Sequence, residues 1–291
     1  MQNWGVVIVL YHPEMAKLKR TIVTTLKNTP YLALVNNGEP LADLGDSVVE
    51  LGENKGIAYA QNIGVETLQK QSKLDGVFFL DQDSEIEENF FSRMLLEWDR
   101  LTLTHPRLAM LSPVIRRRTE TGNYSILILE NDRLIKASVD SSKQTIVENT
   151  LPISSGVLVS VSAFMAVDGL ASKWFIDWVD FDLDLKLLMQ GYSIVTTNAT
   201  SIIHEIGTPD RRNFFGKQIA VTNYVLFREY YTARNSMYLM RKFGATSKGI
   251  SKYCWGQVSR RFLMLLYEPK KFRRFATLVG GLIVGLTTSY H

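Results

Sequence analysis

Phe78-Phe79-Leu80-Asp81-Gln82-Asp83-Ser84 is an apolar run that ends on two carboxylates one residue apart. In an extended chain, residues i and i+2 point to the same side, so Asp81 and Asp83 can converge at the mouth of a sheet. Two neighbouring carboxylates repel unless a cation joins them. Hard oxygen ligands suit Mg²⁺ or Mn²⁺, which keep several waters and take phosphate oxygens as further ligands. Strand ends are polar in any case, so the triplet gains meaning only from its surroundings. Upstream, Val6-Val7-Ile8-Val9-Leu10 is a continuous apolar run broken at Tyr11-His12-Pro13, and Met15 to Leu26 follows with helical spacing. The unit recurs. Tyr31 to Val35 reads as a second strand closed by Asn36-Asn37-Gly38, Ser47 to Leu51 as a third, Ile57 to Gln71 as a helix and Gly76 to Leu80 as a fourth strand. Such alternation predicts an α/β fold, a mostly parallel sheet flanked by helices. Ligands bind such sheets beyond the carboxyl ends of the strands, so Tyr11, Asn36, Asn54 and Asp81 are expected to face one crevice.

The middle of the chain is less regular. Ser125 to Leu129, Leu134 to Val139 and Leu151 to Val161 read as strands, with Gly122-Asn123 as a turn between two of them. A helix is predicted from about Asp180 to Gln190, stopped by Gly191. Ser193 to Thr197 and Ser201 to Ile206 read as extended, and the pattern is helical from Tyr224 almost to the end. One catalytic domain over residues 1–240 with a helical, basic extension over 241–291 is expected.

Trp178-Val179-Asp180-Phe181-Asp182-Leu183-Asp184 places three acids at alternate positions where that helix begins, and Asp177 adds a fourth. Acids in a first helical turn oppose the macrodipole, a sufficient reason for one or two of them. A helix N-terminus also keeps a carboxylate ionised, which suits a general base at neutral pH, and Trp178 offers a wall for a sugar ring. His204, after Ser201-Ile202-Ile203, reads as a hydrogen-bonded structural residue or as a further metal ligand beside Asp83.

Composition excludes several alternatives. With 46% hydrophobic and 21% charged residues the chain is globular, and the run from Met1 to Leu10 enters a strand without a secretory leader, so a cytoplasmic protein is expected. The single cysteine, Cys254, supports neither a disulfide nor a Cys-ligated zinc and reads as a small buried side chain. P-loop, dinucleotide and hydrolase-elbow motifs are absent. The formal charge of +4 is uneven: Lys248, Lys252, Arg260, Arg261, Lys270, Lys271, Arg273 and Arg274 share one stretch with Glu268 as its only acid. Aromatic and aliphatic residues between those charges make the stretch amphipathic, fit either for a membrane interface or for packing on the body. Leu278 to Leu286 is too short to span a bilayer, which takes about 20 apolar residues.

Together these segments resemble the inverting glycosyltransferases of the GT-A fold, family 2, and within them the bacterial rhamnosyltransferases. The similarity runs from about Val6 to Phe243. Val9-Leu10-Tyr11-His12-Pro13 resembles the family's first nucleotide loop and Val35-Asn36-Asn37-Gly38 its second, usually Asp-Asn-Gly, so Asn36 departs from the pattern. Asn54-Lys55-Gly56-Ile57-Ala58-Tyr59-Ala60-Gln61-Asn62-Ile63-Gly64 is similar to its N-x-G-x-x-x-A-x-N-x-G segment. That resemblance implies nucleotide contacts by Asn54, Gly56 and Asn62, with Asp81 on ribose or diphosphate and Asp83 on Mn²⁺ or Mg²⁺. It further implies metal binding by His204, an acceptor-side turn at Ser155-Gly156, Asp180 as base, and Trp178 and Asp182 near the acceptor. Arg228-Glu229-Tyr230-Tyr231-Thr232-Ala233-Arg234-Asn235 looks like the R-x-x-Y-x-x-R-N run of the rhamnosyltransferase branch. Arg228, Tyr231 and Arg234 are there either diphosphate contacts or the solvated side of a packed helix. The implied partners are a dTDP-sugar or UDP-sugar donor, a saccharide acceptor on a polyprenyl diphosphate, the inner membrane surface and a second copy in a homodimer, with no nucleic acid. The rivals are nucleotidylyl transfer, which would need a basic loop where Tyr11-His12-Pro13 stands, and a lipid- or nucleic-acid-binding module built on the tail.

Overall fold

A computed structural model describes residues 1–41, 44, 48–116, 125–139, 145–203, 210–214, 217–221 and 225–290. The order begins β1 (Trp4–Leu10), α1 (Met15–Leu26), β2 (Leu32–Asn36), β3 (Val48–Glu50), α2 (Ile57–Gln71) and β4 (Gly76–Asp81), close to the sequence reading. Two elements that reading passed over follow, α3 (Phe90–Thr102) and β5 (Leu108–Arg116). Their signal was present: Phe90, Phe91, Met94, Trp98 and Leu101 recur at helical spacing, and all are buried. Next come β6 (Ile126–Glu130), β7 (Arg133–Ala137), β8 (Ile146–Glu148), β9 (Thr150–Leu151), β10 (Leu158–Ser160), α4 (Val161–Ala166), α5 (Val179–Met189) and β11 (Ser193–Ile203).

Two expectations are corrected here. The span Leu151 to Val161 is two strands and the start of a helix, because Pro152 and Gly156, at φ 79°, break the ladder between them. The turn expected at Gly122-Asn123 lies outside the described residues. The chain reverses between β6 and β7 at Asn131 and Asp132, whose φ values of 47° and 60° suit a two-residue hairpin loop. The two extended segments after Gly191 are one strand, irregular between Thr197 and Ser201.

The main sheet has eight strands in the order β3-β2-β1-β4-β10-β5-β11-β8. β1 runs parallel to β2 and β4, β2 parallel to β3, and β11 parallel to β5, while β10 lies antiparallel between β4 and β5. β1 is buried along its whole length, which explains its unbroken apolar sequence. Trp4, Phe78, Phe90 and Phe91 form an aromatic knot with centroid separations such as 5.0 Å for Trp4–Phe91 and 5.1 Å for Phe78–Phe91. Each buried ring contributes about 1.5–3 kcal/mol through burial alone.

The chain divides into two compact units. One comprises Met1–Leu129, Ile135–Phe175 and Val179–His204; the other comprises Glu130–Leu134, Ile176–Trp178 and Glu205–His291. The division thus departs from the expected boundary at 240, which falls inside α6 (Leu226–Phe243). The second unit also contains β12 (Asp210–Phe214), β13 (Lys217–Val221), α7 (Lys248–Met264) and α8 (Lys271–Thr287). α6 belongs with the C-terminal helices because α8 packs directly on it. A Cβ at Gly281 would lie 2.5 Å from the Tyr230 carbonyl, and one at Gly285 2.5 Å from that of Arg234.

Two cations of the basic stretch are internal. Arg261 donates to Glu229 Oε1 at 2.5 Å and to Glu268 Oε2 at 3.3 Å, and Arg274 pairs with the same two carboxylates. All four residues are buried, so Glu268 neutralises guanidinium groups inside the helical unit. Cys254 is buried as expected, and burial pushes its thiol up to about 12.

Removing one acid of this quartet strands positive charge in the interior, a loss of about 3–5 kcal/mol. Glu229→Gln should lower the urea midpoint accordingly. Lys252→Gln, on the surface, should stay within about 0.5 kcal/mol of the parent in the same titration.

Candidate active site

Strand register assembles the first half of the site. Val9 pairs with Asp81 on one side and Val35 on the other, and Leu10 with Asn36, so Tyr11, Asn36 and Asp81 emerge at one sheet edge. Asp81 is half-buried and Asp83 exposed. Gln82, between them, closes the first loop: the Tyr11 N–H donates to Gln82 Oε1 at 2.7 Å and Gln82 Nε2 donates to the Tyr11 carbonyl at 2.9 Å. Sequence reasoning overlooked this residue, although a two-sided amide between two carboxylates was visible there.

The departure at Asn36 has a local cause. Its side chain is buried and Nδ2 donates to the Glu39 carbonyl at 2.6 Å and to Glu50 Oε2 at 2.5 Å. The usual aspartate would face the Glu50 carboxylate without a proton to share, whereas an amide supplies the donor. Asn54 Oδ1 accepts from the Gly56 N–H at 3.0 Å and from Asn37 Nδ2 at 3.1 Å, tying the second loop to the start of α2. Gly56 has φ 88°, and a Cβ there would sit 2.5 Å from the Phe175 carbonyl, which accepts a 2.8 Å hydrogen bond from the Ile57 N–H.

Asn62 does something other than the family pattern implies. Its Nδ2 donates to the Leu170 carbonyl at 2.8 Å and to Ser172 Oγ at 2.9 Å, while Oδ1 accepts from the Leu170 N–H at 3.0 Å. With three of its four hydrogen-bonding positions engaged, it anchors the loop that leads to Phe175.

The turn Ser154-Ser155-Gly156 borders both halves. Its Gly156 N–H donates to the Phe79 carbonyl at 2.8 Å, and Ser155 Oγ lies 2.9 Å from Ser84 Oγ, next to Asp83. Ser154 lines a small cavity with Gln61, Phe79, Asp180, Leu183 and Asp184. The strand carrying the paired carboxylates and the helix carrying Asp180 therefore share this turn. Asp180 is half-buried, open enough to meet a substrate. Asp182 is fully buried, with Lys186 Nζ at 3.4 Å. Asp184 is also buried; burial first, then the charges of Asp180 and Asp182, raise its carboxyl well above the ordinary range.

His204 lies outside the described residues. Ile203 before it forms an antiparallel bridge with Glu85, two residues past Asp83. Among the described residues, no three His, Cys, Asp or Glu side chains group as a metal site. Asp81 and Asp83 alone nevertheless match what Mg²⁺ or Mn²⁺ takes from a protein when phosphate oxygens and water complete the shell.

Over 248 residues, 82% of this chain and 80% of the relative, the sequence is 30% identical to the dTDP-rhamnosyl transferase RfbF of Shigella flexneri. The chain belongs to that family of glycosyltransferases. No family model matches the sequence. Its fold is GT-A. It is similar to GalNAc-T7 in complex with UDP, GalNAc and Mn²⁺, with a TM-score of 0.56 at 15% identity over 81% of this chain and 50% of that one. It is also similar to S. aureus TarS 1–349, with a TM-score of 0.57 at 10% identity over 98% of this chain and 81% of that one.

In this glycosyltransferase the R-x-x-Y-x-x-R-N run acts inside the second unit. Arg228 holds Asp177 through Nε at 3.3 Å and a terminal nitrogen at 2.5 Å, and Thr232 Oγ1 donates to the same carboxylate at 3.1 Å. Asn235 Nδ2 donates to the carbonyls of Ile176 and Asp177 at 2.8 and 2.9 Å. These contacts hold Asp177 and Trp178 at φ values of 60° and 66°, a region costly for residues other than glycine. Trp178 donates its indole N–H to the Thr232 carbonyl at 3.1 Å and meets the Tyr253 ring edge-on. Arg234 bonds Asn235 and stacks over Tyr231 at 4.5 Å from the ring centroid. The run is a clamp on the 176–178 segment, an alternative that spacing alone did not suggest.

Two tests follow from this geometry. Gly56→Ala puts a methyl group against the Phe175 backbone at a positive φ, so it should both lower Tm and depress transfer, measured by melting and by product formation. Asp184 has a folded-state carboxyl raised above its unfolded value of about 3.9. The stability it supports is complete below that pH and is lost as pH rises through the folded value. The Tm of Asp184→Asn should therefore gain on that of the parent as pH rises from about 4 to 8; a difference constant with pH would overturn the assignment.

Proposed function

We propose that this protein transfers L-rhamnose from dTDP-rhamnose to a saccharide hydroxyl by a single displacement with inversion at the anomeric carbon. The observation that carries the reading is the shared Ser154–Gly156 turn, which brings the strand of Asp81 and Asp83 and the helix of Asp180 to one border. Asp180 takes the proton of the acceptor hydroxyl as its oxygen attacks from the side opposite the leaving diphosphate. A divalent cation held by Asp83, with His204 as a candidate further ligand and Asp81 facing the ribose or diphosphate, would supply positive charge for the departing diphosphate. Tyr11, Asn36 and Asn54 border the nucleotide end, and Ser155 and Gly156 the acceptor end. The relative's dTDP-rhamnosyl activity supports the donor, and the UDP and Mn²⁺ of the GalNAc-T7 structure support the nucleotide-diphosphate and metal chemistry.

The acceptor in this reading is a saccharide on a polyprenyl diphosphate at the cytoplasmic face of the membrane, reached by a protein that associates peripherally. Exposed cations of the C-terminal helices support it, and no helix among the described residues is long and apolar enough to cross a bilayer. Family membership sets nucleotidylyl transfer and a purely lipid-binding module aside.

Asp180→Asn should lower kcat by about 10²–10⁴-fold while the Kd for dTDP-rhamnose changes little. Asp83→Asn should weaken the metal dependence of turnover. Incubation with a panel of sugar nucleotides and saccharide acceptors, read by product mass and anomeric configuration, tests the whole proposal. Undiminished turnover by Asp180→Asn, or retention of configuration, would discard it.

A further inference from the structure

Helix α8 has two opposed faces. Arg274, Leu278, Gly281 and Gly285 are buried, with the glycines admitting the backbone of α6. On the other side, at 3.6 residues per turn, Phe272, Phe275, Val279, Ile283 and Leu286 fall on one stripe. Phe272 is 92% exposed, Phe275 52%, Ile283 55% and Leu286 57%. An apolar stripe several turns long and open to water calls for a partner. Lys270, Lys271 and Arg273, all exposed, stand at its N-terminal end, with Lys271 and Arg273 on opposite flanks of Phe272. The first turn of α8 carries no acid to offset them.

We infer that this stripe with its cationic end is a docking surface for an anionic lipid bilayer, with the axis of α8 lying along the membrane plane. The charges select this occupant. Residues 269–291 include no Asp or Glu, and Glu268 itself is buried with Arg261 and Arg274. A second copy meeting the stripe through its own α8 would bring no carboxylate to the three cations, whereas lipid phosphates would. Apolar side chains flanked by Lys and Arg are also what an interfacial helix presents. Of the basic stretch over residues 248–274, Arg261, Leu265 and Arg274 are internal, whereas Lys270, Lys271, Phe272 and Arg273 belong to the exposed surface. The surface deepens the membrane reading of the acceptor, but vesicle binding without substrate tests it separately.

The experiment uses the full chain and vesicles of phosphatidylcholine with or without phosphatidylglycerol, scored by co-sedimentation. The parent should bind the anionic vesicles and be released by salt. Both Lys270→Gln/Lys271→Gln/Arg273→Gln and Phe272→Ser/Phe275→Ser should partition at least about tenfold less, with a cooperative thermal transition retained and full turnover on a soluble acceptor. Failure of the parent to bind anionic vesicles, or variants that bind as well as the parent, would overturn the inference. So would a parent dimer that Phe272→Ser/Phe275→Ser converts to monomer, since a second copy would then cover the stripe. Absence of turnover in every protein, with vesicle binding as expected, would count against the proposed reaction and leave the docking surface standing.

Discussion

The 2.8 Å hydrogen bond from the Ile57 N–H to the Phe175 carbonyl joins the two halves of the candidate active site. On one side of it are the strand ends that bear Tyr11, Asn36 and Asp81; on the other, four residues along the chain, α5 begins. So close an approach is open only to a residue without a Cβ at position 56. Asn62 supports it by fixing Leu170 and Ser172, the preceding part of the same loop. Backbone polar groups that leave water must find partners, and here the loop finds them in α2. The GT-A arrangement thus depends on how irregular chain is held, as well as on its sheet.

The fold was legible where hydrophobic periodicity is strong. β1, α2 and β4 are buried elements with clean patterns, and their bounds matched the sequence to within two residues. The span Leu151 to Val161 failed because Val157, Leu158 and Val159 continue an apolar composition across a turn that one glycine makes, and composition outweighed the break. α3 carries a full helical stripe in Phe90, Phe91, Met94, Trp98 and Leu101, so its pattern is legible too. The division at residues 204 and 205 was not readable, since it follows from helix packing between segments remote in sequence.

The site was legible as a set of positions and much less so as a set of duties. Asp81, Asp83 and Asp180 stand where strand ends and a helix start would put them. Asn62, Asp182, Arg228 and Asn235 belong to the same motifs, yet their side chains are engaged by partners within the protein. Hydrogen-bond partners explain the difference. The carbonyl groups of Leu170 and Ile176 are invisible in a motif, and a residue that satisfies them looks the same in sequence as one that touches ligand. A family signature records what the chain needs as well as what the reaction needs.

The contact between Asn36 and Glu50 constrains how the loop after β2 can vary. Because the amide donates to the Glu39 carbonyl and to a carboxylate fourteen residues away on the neighbouring strand, neither side chain is free to drift alone. Relatives with an acid at the first position should hold something uncharged or basic at the second, and a swap made at one place only would leave two negative oxygens in contact. A change at residue 36 therefore calls for a matching change at residue 50.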